Sequence, residues 1–450
     1  MKKRWIVFFV VLLAISVLGL FRPVPKLEFW GLENHVDKAD VAWMITATIF
    51  VLMMTPGLSF FYGGMVRAKN VISTILQSFI AMGIISVLWV TVGFSLSFGD
   101  DIGHFVGNPA TFFMFEGVDG ATDPLLSPAI PLALFALFQM KFAIITPSLI
   151  TGSFAERVRF SAYMVFMVLF CLFVYCPLAH WTWHPEGFLH RLGVLDFAGG
   201  IVVHASSGVA ALAGAIFLGK RKNPGAHQPA NVPFVLLGAA MLWLGWFGFN
   251  AGSSFAADSV AVKAFLNTNT ASATAMITWV VFDCLRGRKP SAMGAAIGAV
   301  VGLVAITPSA GYVSVGQSVF ISFVTTIVCN LAVTWKNKAS TFDDALDVFP
   351  THGVGGIVGT LMTGIFVYEA GDISHFASFL RYVLAVVLVF IYTFGVTYLL
   401  YWLTNKMIPL RVSAASERVG LDKSQHDEHY GPETGGPREL AEYADAHADA

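Results

Sequence analysis

Two histidines, His204 and His352, sit inside long apolar runs, and each follows an aspartate by eight residues: DFAGGIVVH spans 196–204 and DALDVFPTH spans 344–352. An ionisable side chain in hydrocarbon is costly and commonly marks the path of a proton, an ion or a polar solute. At a rise of about 1.5 Å per residue, eight residues carry each imidazole about 12 Å inward, near the middle of a core about 30 Å thick. Small residues crowd both, Gly199, Gly200, Ala205, Ser206, Ser207 and Gly208 on one side and Gly353, Gly355, Gly356 and Gly359 on the other. They permit close helix packing. Imidazoles on facing helices can ligate haem iron, but the remaining histidines fall mainly in loops and the C-terminal segment, and His180 reads as an interfacial residue at a span end. A zinc site needs more ligands. Two neighbouring imidazoles, one donating to the other, suit a proton or small polar solute path.

The elements that must position this pair are membrane helices. Of 450 residues, 56% are hydrophobic and 12% charged, with mean hydropathy +0.70, far more apolar than a soluble domain of this length requires. The net charge of -1, with no Lys/Arg cluster that looks like a backbone-binding patch, excludes a nucleic-acid binder. Residues 1–24 have the anatomy of a signal peptide or retained anchor, a Lys2-Lys3-Arg4 block before an apolar run. Eleven spans follow, at about 40–65, 71–98, 130–154, 160–181, 198–219, 232–254, 269–285, 292–307, 312–335, 349–368 and 378–405. Alternate loops carry Arg67 and Lys69, Arg157 and Arg159, Lys220 to Lys222, Arg286 to Lys289, and Lys336 and Lys338. The others carry acids, among them Asp100, Asp101, Glu116, Glu186, Asp196, Asp258, Glu369 and Asp372, with Arg191 and Lys263 as exceptions. The positive-inside rule then places the first span's N-terminus outside and the chain's C-terminus in the cytoplasm.

The two histidine segments open the fifth and tenth spans, an offset of five, so the segments cross in opposite directions, as in an inverted repeat. The fold class expected is an all-α polytopic membrane protein of eleven transmembrane helices, two inverted five-helix repeats and a final helix, over residues 38–408. Residues 409–450 are polar, without apolar periodicity, and read as a flexible cytoplasmic tail. Cys171, Cys176, Cys284 and Cys329 show no metal-ligand spacing and read as packed thiols. No cofactor is called for.

A path that dehydrates a cation needs compensation, which aromatic faces supply. Phe138 and Phe142 in the third span, Trp183 at the end of the fourth, and Phe249 with Ser253 in the sixth are candidates. With 40 Phe and 11 Trp in the chain, any one of them alone is weak evidence. Lys141 is a charge beside Phe142; about 100° around the helix from it, it is expected to snorkel or to meet a carboxylate away from the path. Pro350 fits the opening turn of the tenth span.

The segments FYGGMVRAKN (61–70), SLITGSFAERVRF (148–160), DFAGGIVVH (196–204), GWFGFNAGS (245–253), HGVGGIVGTLMTGIF (352–366) and RVSAASERVGLD (411–422) resemble, in order, those of the ammonium transporter family, Amt/Mep/Rh, on its Amt side. The resemblance implies a homotrimer with a conduction path in each subunit, in the cell (inner or plasma) membrane, and no enzymatic activity. It implies an outer ammonium recruitment site of Trp183, Ser253 and Phe138, a gate of Phe142 and Phe249, a twin-histidine pore of His204 and His352, and Asp196 as a structural and electrostatic support. It also implies a PII-type signal protein as candidate partner on the cytoplasmic face. The alternatives within the resemblance are an ammonium sensor and an Rh-like gas channel; Trp183 and Ser253 favour Amt, and the lack of a kinase-like or cyclase-like domain favours transport.

Overall fold

The structure, a computed structural model, describes residues 2–21, 36–222, 228–339, 341–367 and 374–431. Residues 22–24 of the expected leader, Glu369 and Asp372 of an expected outer loop, and 432–450 of the expected tail lie outside the described residues.

Each of the eleven apolar segments is helical. In order they are Lys38–Met65, Val71–Leu88 running on to Phe98, Leu132–Ile150, Phe160–Phe170 running on to Trp183, Gly200–Ala205 running on to Leu218, Val232–Ala251, Ser259–Leu285, Ala292–Ile306, Val315–Ala339, Phe349–Gly353 running on to Phe366, and His375–Met407. Nine helices among the described residues, Lys3–Leu20 near the N-terminus included, are long and apolar enough to cross a membrane, and Ala292–Ile306 is a shorter apolar one. The protein is an all-helical polytopic membrane protein; the only strands among the described residues are two short hairpins, 101–107 and 122–131.

Helix starts follow local chemistry. Asp37 caps the first long helix, its Oδ1 accepting from the N–H groups of Ala39 at 2.8 Å and Asp40 at 3.0 Å. Asn231 caps the next half's opening helix through Phe234 N–H, with Pro233 in its first turn where no intrahelical donor is missed. The helix expected at 269–285 begins ten residues earlier, because Asp258 caps it at Ala261. Lys263 is therefore helical, and the polar run that reads as loop is part of the helix, with Asn267 and Thr268 buried. Asn267 donates to the carbonyls of Ala310 and Val313 at 2.8 Å each, and Asn250 to Thr268 at 2.9 Å.

Helices Lys38–Met65 and Val232–Ala251 pack along much of their length. A Cβ at Gly238 would lie 2.3 Å from the backbone nitrogen of Phe61, so that contact is backbone against backbone. Outward faces remain apolar, with Ile277, Phe376 and Ile391 more than 60% exposed. Lipid is the solvent that such a surface suits.

The basic loops converge on one face. Glu156, held at φ +72°, accepts from the Arg67 backbone N–H and Nε at 2.9 Å each and from Arg221 at 3.1 Å. Arg221 also clamps Asp343 at 2.8 and 3.0 Å. The start of the expected flexible tail folds onto this face. Arg411 bonds the Leu218 carbonyl at 2.7 Å and Glu417 at 2.9 Å, and the Asp422 carboxylate accepts from Ile72 N–H at 3.0 Å and Ser73 N–H at 2.7 Å. The orphan N–H groups of helix Val71–Leu88 draw the acid in, a long-range demand that composition does not reveal.

Burial pushes the Glu156 carboxyl up, but the hydrogen bonds and charge of Arg67 and the charge of Arg221 outweigh it and hold it at about 2, against 4.5 when free. The folded pKa is the lower one, so this clamp stabilises the fold above pH 4.5 and is lost as pH falls toward about 2. Glu156→Gln removes the carboxylate that Arg67 and Arg221 share, leaving Arg221 its Asp343, and is expected to cost roughly 3 kcal/mol. Thermal unfolding of purified protein should show a lower Tm at neutral pH and a shallower decline on acidification. An unchanged Tm would contradict the clamp.

Candidate functional site

Each histidine lies in a helix opening built by an acid. The two oxygens of Asp196 accept from the N–H groups of Gly199, Gly200, Ile201 and Val202, at 3.0, 2.6, 2.8 and 3.3 Å. Asp344 does the same for Val348 at 3.1 Å and Phe349 at 2.7 Å. A carboxylate on a helix N-terminus satisfies donors that hydrocarbon would leave orphaned. Gly199 permits the tight entry, with φ +112°. Both openings are π turns, Gly200–Ala205 and Phe349–Gly353, and each contains its histidine. Pro350 lies in the first turn, where it removes no hydrogen bond. Burial pushes the Asp196 carboxyl up against the downward pull of its four N–H partners, and that of Asp344 up to about 6.

The two openings cross at their glycines. A Cβ at Gly208 would stand 2.1 Å from the Gly353 nitrogen, so the first of these helices could carry no side chain there. That approach sets the imidazoles with Nδ1 atoms 3.4 Å apart and ring centres 5.5 Å apart, tilted by 28°. His204 is 1% and His352 3% exposed. One Nδ1 must donate and the other accept, so the neutral rings take opposite tautomers. The Nε2 of His204 is buried without a protein partner. A cavity of about 10 Å³ touches both rings, walled by apolar residues such as Met54, Leu58 and Ile145. It is room for a solute no larger than one water.

An aromatic column leads away from the pair. Phe249 lies 5.9 Å from His204 and stacks on Phe142 at 4.1 Å, tilted by 27°. Phe142 meets Trp183 edge to face at 5.8 Å. Beyond the stack opens a cavity of about 130 Å³ lined by Phe142, Trp183, Ser253 and Gln139 among others. The Ser253 hydroxyl donates to the Phe249 carbonyl at 2.8 Å, which leaves its lone pairs to accept. The Trp183 indole N–H is bound to the Asp196 carbonyl at 3.0 Å, so the ring offers its face.

The structure thus brings together Trp183, Ser253, Phe142, Phe249, His204 and His352. Asp196 stands behind Trp183, its carboxylate wholly engaged with backbone. Phe138 does not line the outer cavity. It is fully buried between Phe142 at 5.0 Å and Phe255 at 5.6 Å, and it fills the space over Gly252. Phe255 lines the cavity instead.

Three residues were not singled out as site residues in the sequence. Trp246 stacks on His204 at 5.3 Å and donates to the Thr307 hydroxyl at 2.9 Å. Gln139 brings a buried amide oxygen without a protein partner among the described residues to the cavity of about 130 Å³; its place one turn before Phe142 was the available signal. His180 is wholly buried and faces Asp101 at 2.9 Å, not the membrane interface. Among the described residues no group of three or more His, Cys, Asp or Glu could hold a metal ion.

The ammonium transporter family model matches residues 42–430. The chain belongs to the ammonium transporter family. It is 43% identical over 401 residues to the ammonium transporter of Bacillus subtilis, covering 87% of this chain and 98% of that protein. It is 41% identical to ammonium transporter Amt1 of Archaeoglobus fulgidus, covering 87% and 99%. Among solved structures it is similar to Candida albicans Mep2, with TM-score 0.78 and 36% identity over 84% of this chain and 87% of that one. It is also similar to a protein described as a sensor Amt protein, with TM-score 0.80 and 31% identity over 86% and 98%.

Within this ammonium transporter fold Lys141 departs from expectation. It neither snorkels nor meets a carboxylate among the described residues: it is 8% exposed, and its Nζ lies 3.7 Å from the Met140 sulfur. Helix Leu132–Ile150 is covered on nearly every side, which closes the route to the interface. Lys141 is not among the residues lining the cavities on either side of the Phe142–Phe249 stack. Lys141→Met, which replaces a buried amine that meets no carboxylate among the described residues with an apolar chain of similar length, is expected to raise the Tm by a few degrees and leave transport within about twofold. A large change in transport would place the amine on the path.

Proposed function

We propose that the protein carries ammonium or ammonia across the inner (plasma) membrane, through a separate path in each subunit of a homotrimer, with its C-terminus in the cytoplasm. The observation that carries the reading is the column itself: a polar and aromatic cavity, a stacked phenylalanine pair, then two mutually bonded imidazoles around a space of about 10 Å³.

Ammonium has four N–H donors and one charge. Ser253 accepts one donor, and the face of Trp183 attracts the charge. The Phe142–Phe249 stack leaves no room for a hydrated cation. A bare cation in hydrocarbon is expensive, so ammonium gives its proton to water in the cavity beyond the gate and ammonia passes the phenylalanines. The histidine pair suits the neutral molecule. With opposite tautomers, one Nε2 donates to the ammonia lone pair while the other accepts an ammonia N–H, and the Nδ1 contact links the two rings for proton relay. Phe138 supports the gate from behind, and Asp196 fixes both the Trp183 ring and the His204 helix. The folded segment 411–430 offers a surface on the basic face where a PII-type protein could be tested.

The test is methylammonium uptake in cells lacking their own ammonium transporters. His204→Ala and His352→Ala are expected to reduce Vmax sharply. Trp183→Leu and Ser253→Ala are expected to raise KM about fivefold, the worth of one hydrogen bond or one cation–π contact. Electrical recording with ammonium steps separates the charged from the neutral net species: active protein without current excludes net cation transport. Wild type that binds ammonium without uptake would bring forward the sensor reading, which the similarity to a sensor Amt protein keeps open.

A further inference from the structure

The outer end of helix Cys176–Trp183 is held by a group of bonds that the transport path does not use. His180, wholly buried, has its Nδ1 3.0 Å from the Ser97 carbonyl and its Nε2 2.9 Å from Asp101 Oδ1. A carbonyl can only accept, so Nδ1 carries a hydrogen, and a hydrogen on Nε2 completes the second bond. Asp101 in turn accepts from the His104 backbone N–H at 2.8 Å and lies 3.2 Å from its Nδ1. His104 itself is in the left-handed region at φ +62°.

The same hairpin grips the helix end once more and the chain beyond it once: the Trp181 indole donates to the Phe105 carbonyl at 2.8 Å, and Phe188 N–H to the His104 carbonyl at 3.2 Å. His184, stacked on His180 at 4.4 Å with a tilt of 14°, accepts from Glu186 N–H at 3.1 Å. The last helical residue in this clasp is Trp183. Its other tether is the Asp196 carbonyl at the indole N–H, so the helix end and Asp196 together set where the ring stands over Phe142.

We infer that Asp101 and His180 are positioning residues for ammonium recruitment: the bond between them fastens the 101–107 hairpin to the end of helix Cys176–Trp183 and so helps fix the Trp183 face above the gate. Neither side chain touches the substrate. The pair acts through Trp183, and the inference rests on the recruitment role proposed above for that residue.

The distinguishing readout is the split between KM and Vmax for methylammonium, with the amount of protein in the membrane measured alongside. Asp101→Ala is expected to raise KM about fivefold with Vmax within about twofold, matching the loss of one well-placed cation–π contact. Asp101→Asn keeps an oxygen for His180 Nε2–H and is expected to restore most of the affinity. In a Trp183→Leu background, Asp101→Ala should raise KM no further, because coupled residues are non-additive. Additive effects on KM, or a fall in Vmax and protein amount at constant KM in both Asp101 variants, would overturn the positioning role. If Trp183→Leu itself leaves KM unchanged, the recruitment reading fails, and the pair's role in it fails with it. If Trp183→Leu raises KM and Asp101→Ala does not, only the positioning role is lost.

Discussion

Backbone N–H groups at the start of a membrane helix must find acceptors inside the protein, because lipid offers none. Asp196 and Asp344 meet that demand at two helix openings, accepting from four and two N–H groups respectively. Each acid spends its charge on backbone and none on the imidazole eight residues further on. The consequence is a pair of rigid openings that can begin inside the bundle and cross where Gly208 meets Gly353. The imidazoles meet because the helices that bear them are anchored from opposite ends.

The rest of the site inherits its geometry from that crossing. Trp246 stacks on His204, Phe249 leans toward it from the same helix, and Phe142 stacks on Phe249. Trp183 reaches the column through the carbonyl of the same Asp196 that opens the histidine helix. One residue therefore ties the outer aromatic to the inner imidazole, using its backbone for one and its side chain for the other. A second set of ties closes the opposite face, where Glu156, Arg221 and Asp343 gather three loops and Asp422 brings the C-terminal segment onto helix Val71–Leu88. Charges there are paired or bonded to backbone at the ends of helices, where they satisfy donors that packing would otherwise strand.

The sequence by itself determined the solvent, the order of the helices and the chemistry at the centre. Apolar runs of span length and the sidedness of Arg and Lys are local properties, legible without a fold. So is the repeated eight-residue interval from Asp196 to His204 and from Asp344 to His352. The ordered family motifs also carried Trp183, Ser253, Phe142 and Phe249 to one column. What local pattern could not decide was which polar residues face each other. The run around Asn267 looked like loop because its acceptors, the Ala310 and Val313 carbonyls, lie more than forty residues away. His180 looked interfacial because its partner Asp101 sits in another loop. Lys141 was expected at a carboxylate or an interface, but neighbouring helices cover it. Phe138 and Phe142 occupy one face by periodicity, yet only packing over Gly252 turns Phe138 away from the cavity. Residues 411–430 lack apolar periodicity and fold by answering helix ends formed elsewhere. In a membrane bundle, apolar length selects the helices, while hydrogen bonds between distant segments select their register, and those bonds exist only in the tertiary structure.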